Sequence, residues 1–219
     1  MRVTPLTPTL TQLTQYRFVN AYLVREEDGL TLVDTTMGKA ADAIVATADL
    51  PIRRIALTHG HADHTGALDA LVARLGTDVE VSIPDADAAI LAGEAEKPSG
   101  SWPKLQTTPD HRLQPGDRVG SLEVVAAPGH TPGHVAFLDT RDRSLIAGDV
   151  FTTYGRTEVT NHFYWRFPFA AMATSDKRVD AESARTLRAL QPTLLVVGHG
   201  PAVRNPLPAI DAALARAVR

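Results

Sequence analysis

The 219-residue chain carries 22 basic and 25 acidic residues, a net charge of −3, and 44% hydrophobic residues; this balance builds a full-size core and excludes a disordered chain. Near-neutral charge without a run of like charges argues against a nucleic-acid partner, and the absence of cysteine excludes disulfides, thiolate zinc ligands, iron-sulfur clusters and a Cys nucleophile together. Neither a continuous apolar leader in the first 24 residues nor any stretch of 18 apolar residues is present, so the expected setting is the cytoplasm, with no membrane partner.

In chain order, Asn20 to Val24 and Leu30 to Val33 flank a polar turn closed by Gly29, which predicts a hairpin. Residues 39–48 predict an Ala-rich helix, and Ile55 to Thr58 a short buried strand running into His59. The 3, 4, 7 spacing of Leu68, Leu71, Val72 and Leu75 predicts an amphipathic helix over 65–75, stopped by Gly76. A strand over 79–83 and a helix over 85–92 follow. The Gly-, Pro- and Ser-containing stretch 93–110 predicts a long loop, the expected meeting point of two αβ halves within a single domain covering 1–219. Beyond it, strands are expected near 119–127, 134–139, 144–147 and 193–197, and helices near 178–190 and 207–218.

Chemistry-bearing residues gather where these strands end. Leu57-Thr58 leads to His59, Ala126-Ala127-Pro128-Gly129 to His130, Ala147-Gly148 to Asp149 and Val197-Gly198 to His199. In a layered α/β structure such ends converge on one cleft. The densest signal is His59-Gly60-His61-Ala62-Asp63-His64, which packs three imidazoles and a carboxylate into six residues. Borderline cations such as zinc take these donors at about 2.0–2.2 Å, and Gly60 and Ala62 leave the turn uncrowded.

These residues resemble the metallo-β-lactamase superfamily of metal-dependent hydrolases, from the Asn20 to Thr36 region through to Gly198-His199-Gly200-Pro201. The resemblance implies an αββα sandwich with metals at one edge. It also implies that His59, His61 and His130 hold one ion, that Asp63, His64 and His199 hold a second, and that Asp149 bridges them. Two divalent ions, zinc with iron or manganese as alternatives, would then share a bridging hydroxide that attacks a carbonyl ester, thioester or lactone of a small substrate. His134 and Asp34 are expected to orient ligands, His134 by donating a hydrogen bond. His111 is expected at the surface and His162 in packing.

The substrate class is left wider. Val150 to Thr157, with its Gly155-Arg156 pair, resembles the stretch after the bridging aspartate in glyoxalase II enzymes, although the chain stops about 20 residues after His199, before the helical glutathione-binding domain of that family. Acyl-homoserine lactonases carry a Tyr three residues past the bridging Asp, where this chain has Thr152; Tyr154, out of that register, is the expected oxyanion donor, with Asp63 as the other catalytic residue. Alternatives are an iron-dependent persulfide dioxygenase or another redox enzyme of the same fold, and a β-lactamase-type amide hydrolase. Residues 151–169 hold seven of the chain's twelve aromatics (Phe151, Tyr154, Phe163, Tyr164, Trp165, Phe167 and Phe169), expected either as an apolar substrate wall or lid or as a packing surface, a homodimer contact included.

Overall fold

The computed structural model describes residues 1–217; position 218 of the last predicted helix lies outside the described residues. Two strands that the sequence pattern does not predict, β1 (Arg2–Pro5) and β2 (Leu10–Gln15), precede the predicted hairpin of β3 (Val19–Glu26) and β4 (Gly29–Val33). Then come α1 (Ala41–Thr47), β5 (Ile52–Ala56), α2 (Ala62–Thr65), α3 (Leu68–Leu75), β6 (Glu80–Pro84), α4 (Asp85–Ala92) and β7 (His111–Leu113). The seven strands form one sheet in sequence order, antiparallel from β1 to β4 and parallel from β4 to β7.

The second half contributes β8 (Arg118–Val119), β9 (Leu122–Ala126), β10 (Val135–Asp139) and β11 (Ser144–Ile146), a short β12 (Phe151–Thr152) and β13 (Glu158–Val159) pair, α5 (Pro168–Ala173), α6 (Lys177–Ala189), β14 (Leu194–Val196), β15 (Val203–Arg204) and α7 (Leu207–Arg216). Its main sheet has the order β15-β14-β11-β10-β9-β8. Because β7 still pairs with β6, the chain crosses between sheets after His111–Leu113, beyond the long loop over 93–110.

Strand periodicity sets the layers. Side chains on a strand alternate between faces, so in β3 Ala21 and Leu23 join the core under the first helices with Ile44, Leu68 and Leu71, while Tyr22 and Val24 join the core between the sheets. The same alternation in β10 sends Val135 and Phe137 to the inter-sheet core, and Ala136 and Leu138 to the core under α6 and α7 with Leu187 and Ile210. Strands buried on both faces read as continuous apolar runs. Four layers result, helices outside two stacked sheets, which is the expected αββα sandwich. No helix among the described residues is long and apolar enough to cross a membrane.

Two local departures bear on the site. The predicted helix over 65–75 is two pieces, and the short α2 carries Asp63 and His64 directly after the ligand turn. Within the aromatic segment, Pro168 starts α5 at a position where its missing N–H costs nothing.

Candidate metal centre

Each chemistry-bearing residue follows the end of a strand: His59 after β5, His130 after β9, Asp149 after β11 and His199 after β14. The structure brings His59, His61, Asp63, His64, His130, Asp149 and His199 to one edge of the sandwich. Their donor atoms form three overlapping groups, His59/His61/His130, His59/His64/Asp149 and Asp63/His64/His199, each with all atoms within 4.8 Å.

The imidazole tautomers follow from what lies behind each ring. His64 Nδ1–H donates to Asp34 Oδ2 at 2.8 Å, and His59 Nδ1 lies 3.0 Å from Thr58 Oγ1, whose own proton goes to Asp34. His130 Nδ1–H donates to Thr174 Oγ1 at 3.0 Å, and the Thr174 hydroxyl donates onward to a backbone carbonyl. His199 Nδ1–H donates to the Phe18 carbonyl at 3.1 Å. In all four rings Nε2 is thereby turned inward. His61 is reversed: its Nε2–H donates to the Ser99 carbonyl at 3.0 Å, and Nδ1 faces inward, 3.2 Å from His130 Nε2.

This arrangement fits a cation and little else. His59 Nε2, His64 Nε2 and Asp149 Oδ1 are buried without a hydrogen-bond partner, a costly state unless something fills the centre. His61 Nδ1 and His130 Nε2 face each other with both outer N–H groups already committed, so two lone pairs oppose. Donors bound at about 2.0–2.1 Å around a tetrahedral ion sit roughly 3.3–3.4 Å apart. The inward contacts run from 3.1 to 3.5 Å: His64 Nε2–Asp149 Oδ1 3.4, His130 Nε2–Asp149 Oδ2 3.5, His199 Nε2–Asp149 Oδ2 3.1 and His199 Nε2–Asp63 Oδ2 3.3 Å.

Electrostatics divide the rings. Burial, reinforced by neighbouring imidazoles, holds His59 and His130 well below the ordinary histidine range, so both are neutral. Burial opposes charging of His64 and His199 as well, but Asp34 and Asp149 raise the first, and Asp149 and Asp63 raise the second to about 9. The two carboxylates behave in mirror fashion: burial would raise Asp63 and Asp149, yet His64 and His199 hold both below the usual range.

Several supports have no signature in the sequence. Asp87 on α4 accepts from Gly60 N–H, Thr131 Oγ1 and Gly133 N–H at 2.7–2.8 Å, tying the first ligand turn to the His130 turn. Asn20 donates to the Val197 and Gly200 carbonyls and Tyr22 Oη donates to Val197 O, which fixes the His199 loop against β3. Gly198 is required by close approach, because a Cβ there would lie 2.0 Å from Asp149 Oδ1. Gly100, at φ +101°, lets the 98–102 loop rest on His61, where Trp102 also packs edge-on at 5.0 Å.

Other expectations meet the geometry as follows. Asp34 orients His64 and Thr58. His134 does contact Asp149, but with the direction reversed: its Nε2 accepts from the Asp149 backbone N–H at 2.9 Å, and burial drives its pKa down to about 3, which keeps the accepting lone pair free. Tyr154, the expected oxyanion donor, does not line the metal cavity; its ring packs on Phe167 at 5.7 Å and borders a separate depression with Arg2, Tyr16 and Arg17. His111 is exposed, and His162 lies beside Glu158 and Asn161 away from the cavity. The aromatic segment splits: Phe151, Tyr164 and Phe167 are buried, whereas Phe163, Trp165 and Phe169 are exposed.

Asp180 in the first turn of α6 is fully buried; among the described residues Oδ1 has no hydrogen-bond partner and Oδ2 is reached by Thr160 Oγ1 at 3.3 Å. Burial holds its proton well above the ordinary aspartate range. The native state therefore binds more protons than the unfolded chain above about pH 4, and stability falls as pH rises from there towards the folded pKa. Asp180→Asn in chelator-stripped protein is expected to raise Tm at pH 7 by several degrees (roughly 2–4 °C per kcal/mol at this size), a gain that disappears at pH 4. A pH-independent gain in thermal melts would reject this linkage.

Comparison with known proteins places these observations. The family model described as "Metallo-beta-lactamase superfamily" matches residues 15–199. The chain is 40% identical over 200 residues to the uncharacterized protein YobT of Bacillus subtilis, covering 86% of this chain and 85% of that one. It is 32% identical over 141 residues to a hydroxyacylglutathione hydrolase of Aeromonas hydrophila, covering 61% of this chain and 47% of that one. Among solved structures, TTHA1623 in a di-iron-bound form superposes with a TM-score of 0.68 at 26% identity, over 99% of this chain and 98% of that one.

Proposed function

Because the chain belongs to the metallo-β-lactamase superfamily, we propose that it is a metal-dependent hydrolase that cleaves the carbonyl ester, thioester or lactone bond of a small substrate at a site for two ions. The observation that carries this reading is the set of buried, unpartnered donors, His59 Nε2, His64 Nε2 and Asp149 Oδ1, gathered within 4.8 Å of one another beneath a cavity whose lining includes Asp149. His59, His61 and His130 are assigned to the first ion, Asp63, His64 and His199 to the second, and Asp149 to both.

Two divalent ions held there would lower the pKa of a shared water so that hydroxide exists near neutral pH, and would polarise the substrate carbonyl. The chain's own residues set the conditions for that chemistry. Asp34, Thr58, Thr174 and the carbonyls of Phe18 and Ser99 hold the outer imidazole protons, leaving the inward nitrogens of His59, His61 and His130 a lone pair and turning those of His64 and His199 inward as well. His64 and His199, whose protonated forms the neighbouring carboxylates favour, would each have to release a proton to bind an ion, which would couple occupancy to pH. Asp63, the most exposed of the seven and ionised, lines the cavity beside His199 and is assigned to orient the attacking water. In the overall step the water oxygen joins the acyl carbon, the carbon–sulfur or carbon–oxygen bond breaks, and the proton leaves with the thiol or alcohol.

A hydroxyacylglutathione hydrolase among the relatives supports thioester chemistry, and the di-iron relative supports iron beside zinc as an occupant. The test combines metal analysis with a screen over thioesters, lactones, aryl esters and nitrocefin. Asp63→Ala or His64→Ala is expected to reduce bound metal from two equivalents towards one and to cost orders of magnitude in kcat. Unchanged turnover in both variants would reject the second site.

A further inference from the structure

The cavity above the donor cluster measures about 350 Å³, at the small end of the roughly 300–1,000 Å³ of ligand pockets. Its floor is polar, made by His61, Asp63, His130, Asp149 and His199. Its wall is not: Phe18, Phe167, Phe169 and Ala170 pack together, and Met37 and Ala173 add further apolar lining. Phe167 joins the two, stacking on the His199 ring at 4.7 Å and on Phe169 edge-on at 6.0 Å. The wall therefore begins directly beside the reacting centre and runs outward.

Two further features give the wall a ligand. Phe169 is 68% and Met37 39% exposed, so apolar side chains are held open to water at the mouth of a cavity, where a ligand and no neighbouring element of the described chain would cover them. Among the described residues, the cavity lining includes no Lys or Arg. The cations of the adjoining segment are committed elsewhere: Arg156 lies over the Tyr164 ring and pairs with Glu158, and Arg166 lies over Trp165 at 4.7 Å. A carboxylate placed against the phenyl rings would lose water and gain no counter-charge.

Resting on the hydrolase reading above, we propose that the substrate carries an uncharged apolar arm next to its scissile carbonyl, a short alkyl or aryl group seated on Phe167, Phe169 and Met37, and that substrates bearing a carboxylate on that arm are rejected.

The experiment measures binding and turnover separately. Straight-chain alkanamides from butanamide to octanamide, which carry the carbonyl and chain but resist hydrolysis, are titrated calorimetrically into the purified protein. Thioesters of N-acetylcysteamine with the same chains, and their ω-carboxylate counterparts, are then assayed with metal-loaded enzyme. Each methylene seated on the wall is expected to tighten amide binding about four-fold, with kcat/KM rising in parallel and the ω-carboxylates at least ten-fold poorer than neutral chains of equal length. Phe169→Arg, at an exposed position, is expected to flatten the neutral series and to raise the ω-carboxylates relative to it. Amide affinity independent of chain length, or ω-carboxylates cleaved as well as neutral chains, would overturn the proposal. Length-dependent amide binding with neither these thioesters nor the p-nitrophenyl esters and lactones of the same chains cleaved would leave the apolar arm standing and reject the hydrolase reading; cleavage without length dependence would do the opposite.

Discussion

Asp149→Asn is expected to lower kcat by three or more orders of magnitude and to leave at most one tightly bound ion, measured by elemental analysis and by turnover of whichever thioester, ester or lactone the wild type cleaves. The carboxylate is the one group whose two oxygens serve both halves of the cluster. Oδ1 sits 3.4 Å from His64 Nε2, while Oδ2 lies 3.5 Å from His130 Nε2 and 3.1 Å from His199 Nε2. An amide keeps the shape but turns one end into a donor and removes the negative charge. Whichever way it faces, its NH2 points at an imidazole lone pair or at a cation, and one ion loses its anionic partner. A thousand-fold loss corresponds to about 4 kcal/mol, in the range for breaking one member of a buried charged network. Two retained ions with turnover within ten-fold of wild type would show that Asp149 does not couple the two groups.

How much of this could be read from the sequence depends on what kind of atom does the work. The strand-end ligand candidates were legible because each follows directly on a short apolar run: Leu57-Thr58 before His59, Val197-Gly198 before His199. Four such runs can bring their ends together only at one edge, so the convergence on a cleft was legible from the pattern, whereas the αββα layering was implied by the resemblance to the metallo-β-lactamase superfamily. The supports were not. The carbonyls of Phe18 and Ser99, which fix His199 and His61, are backbone atoms that any residue type would provide. Asp87 looks like an ordinary first-turn helix aspartate, and its three bonds to the ligand turns arise only when α4 packs beside residues 131–133. Tyr22 and Asn20 read as hairpin residues of alternating face until β3 comes alongside the His199 loop.

The strands that escaped prediction fail for related reasons. The opening segment, with Thr and Pro recurring through residues 4–11, reads as loop by composition, yet pairing with β3 satisfies the backbone of β2, and antiparallel register carries β1 with it. His111–Leu113 holds a single buried residue and becomes a strand because the edge of β6 is open to it. In the aromatic segment, spacing alone could not divide wall from packing. The division follows the cavity: Phe167 turns inward onto His199, Phe169 stays at the mouth, and Phe163 and Trp165 face solvent. Tyr154 was placed by its distance along the chain from Asp149, but Tyr154 N–H bonds to Thr152 Oγ1 and Thr153 Oγ1 to the Pro201 carbonyl, which turns that stretch over the 199–201 loop rather than into the cavity.

Asp34→Asn is expected to cost the second ion while preserving the fold, although Asp34 touches no substrate. The residue is buried at φ +60°, where its carboxylate accepts Thr58 N–H at 2.8 Å, the Thr58 hydroxyl at 2.9 Å and His64 Nδ1–H at 2.8 Å. An asparagine that keeps its oxygen on the Thr58 N–H must present its NH2 to His64. Nδ1 then becomes the acceptor, and the neutral ring carries its proton on Nε2, the atom that faces Asp149. A protonated Nε2 cannot ligate. Changes of this kind behind a ligand typically cost 10–100-fold in metal affinity, and here the tautomer itself is inverted, so the loss should reach the upper end of that range for one ion and be small for the other. Asp34→Ala should weaken both: the freed Thr58 hydroxyl no longer holds His59, and an orphaned Thr58 N–H adds a stability loss of about 1–3 kcal/mol. Titration of chelator-stripped variants with zinc, read by calorimetry alongside thermal melts, separates the two. Equal zinc affinity in Asp34→Asn and wild type at both sites would mean that the ring orients without this carboxylate.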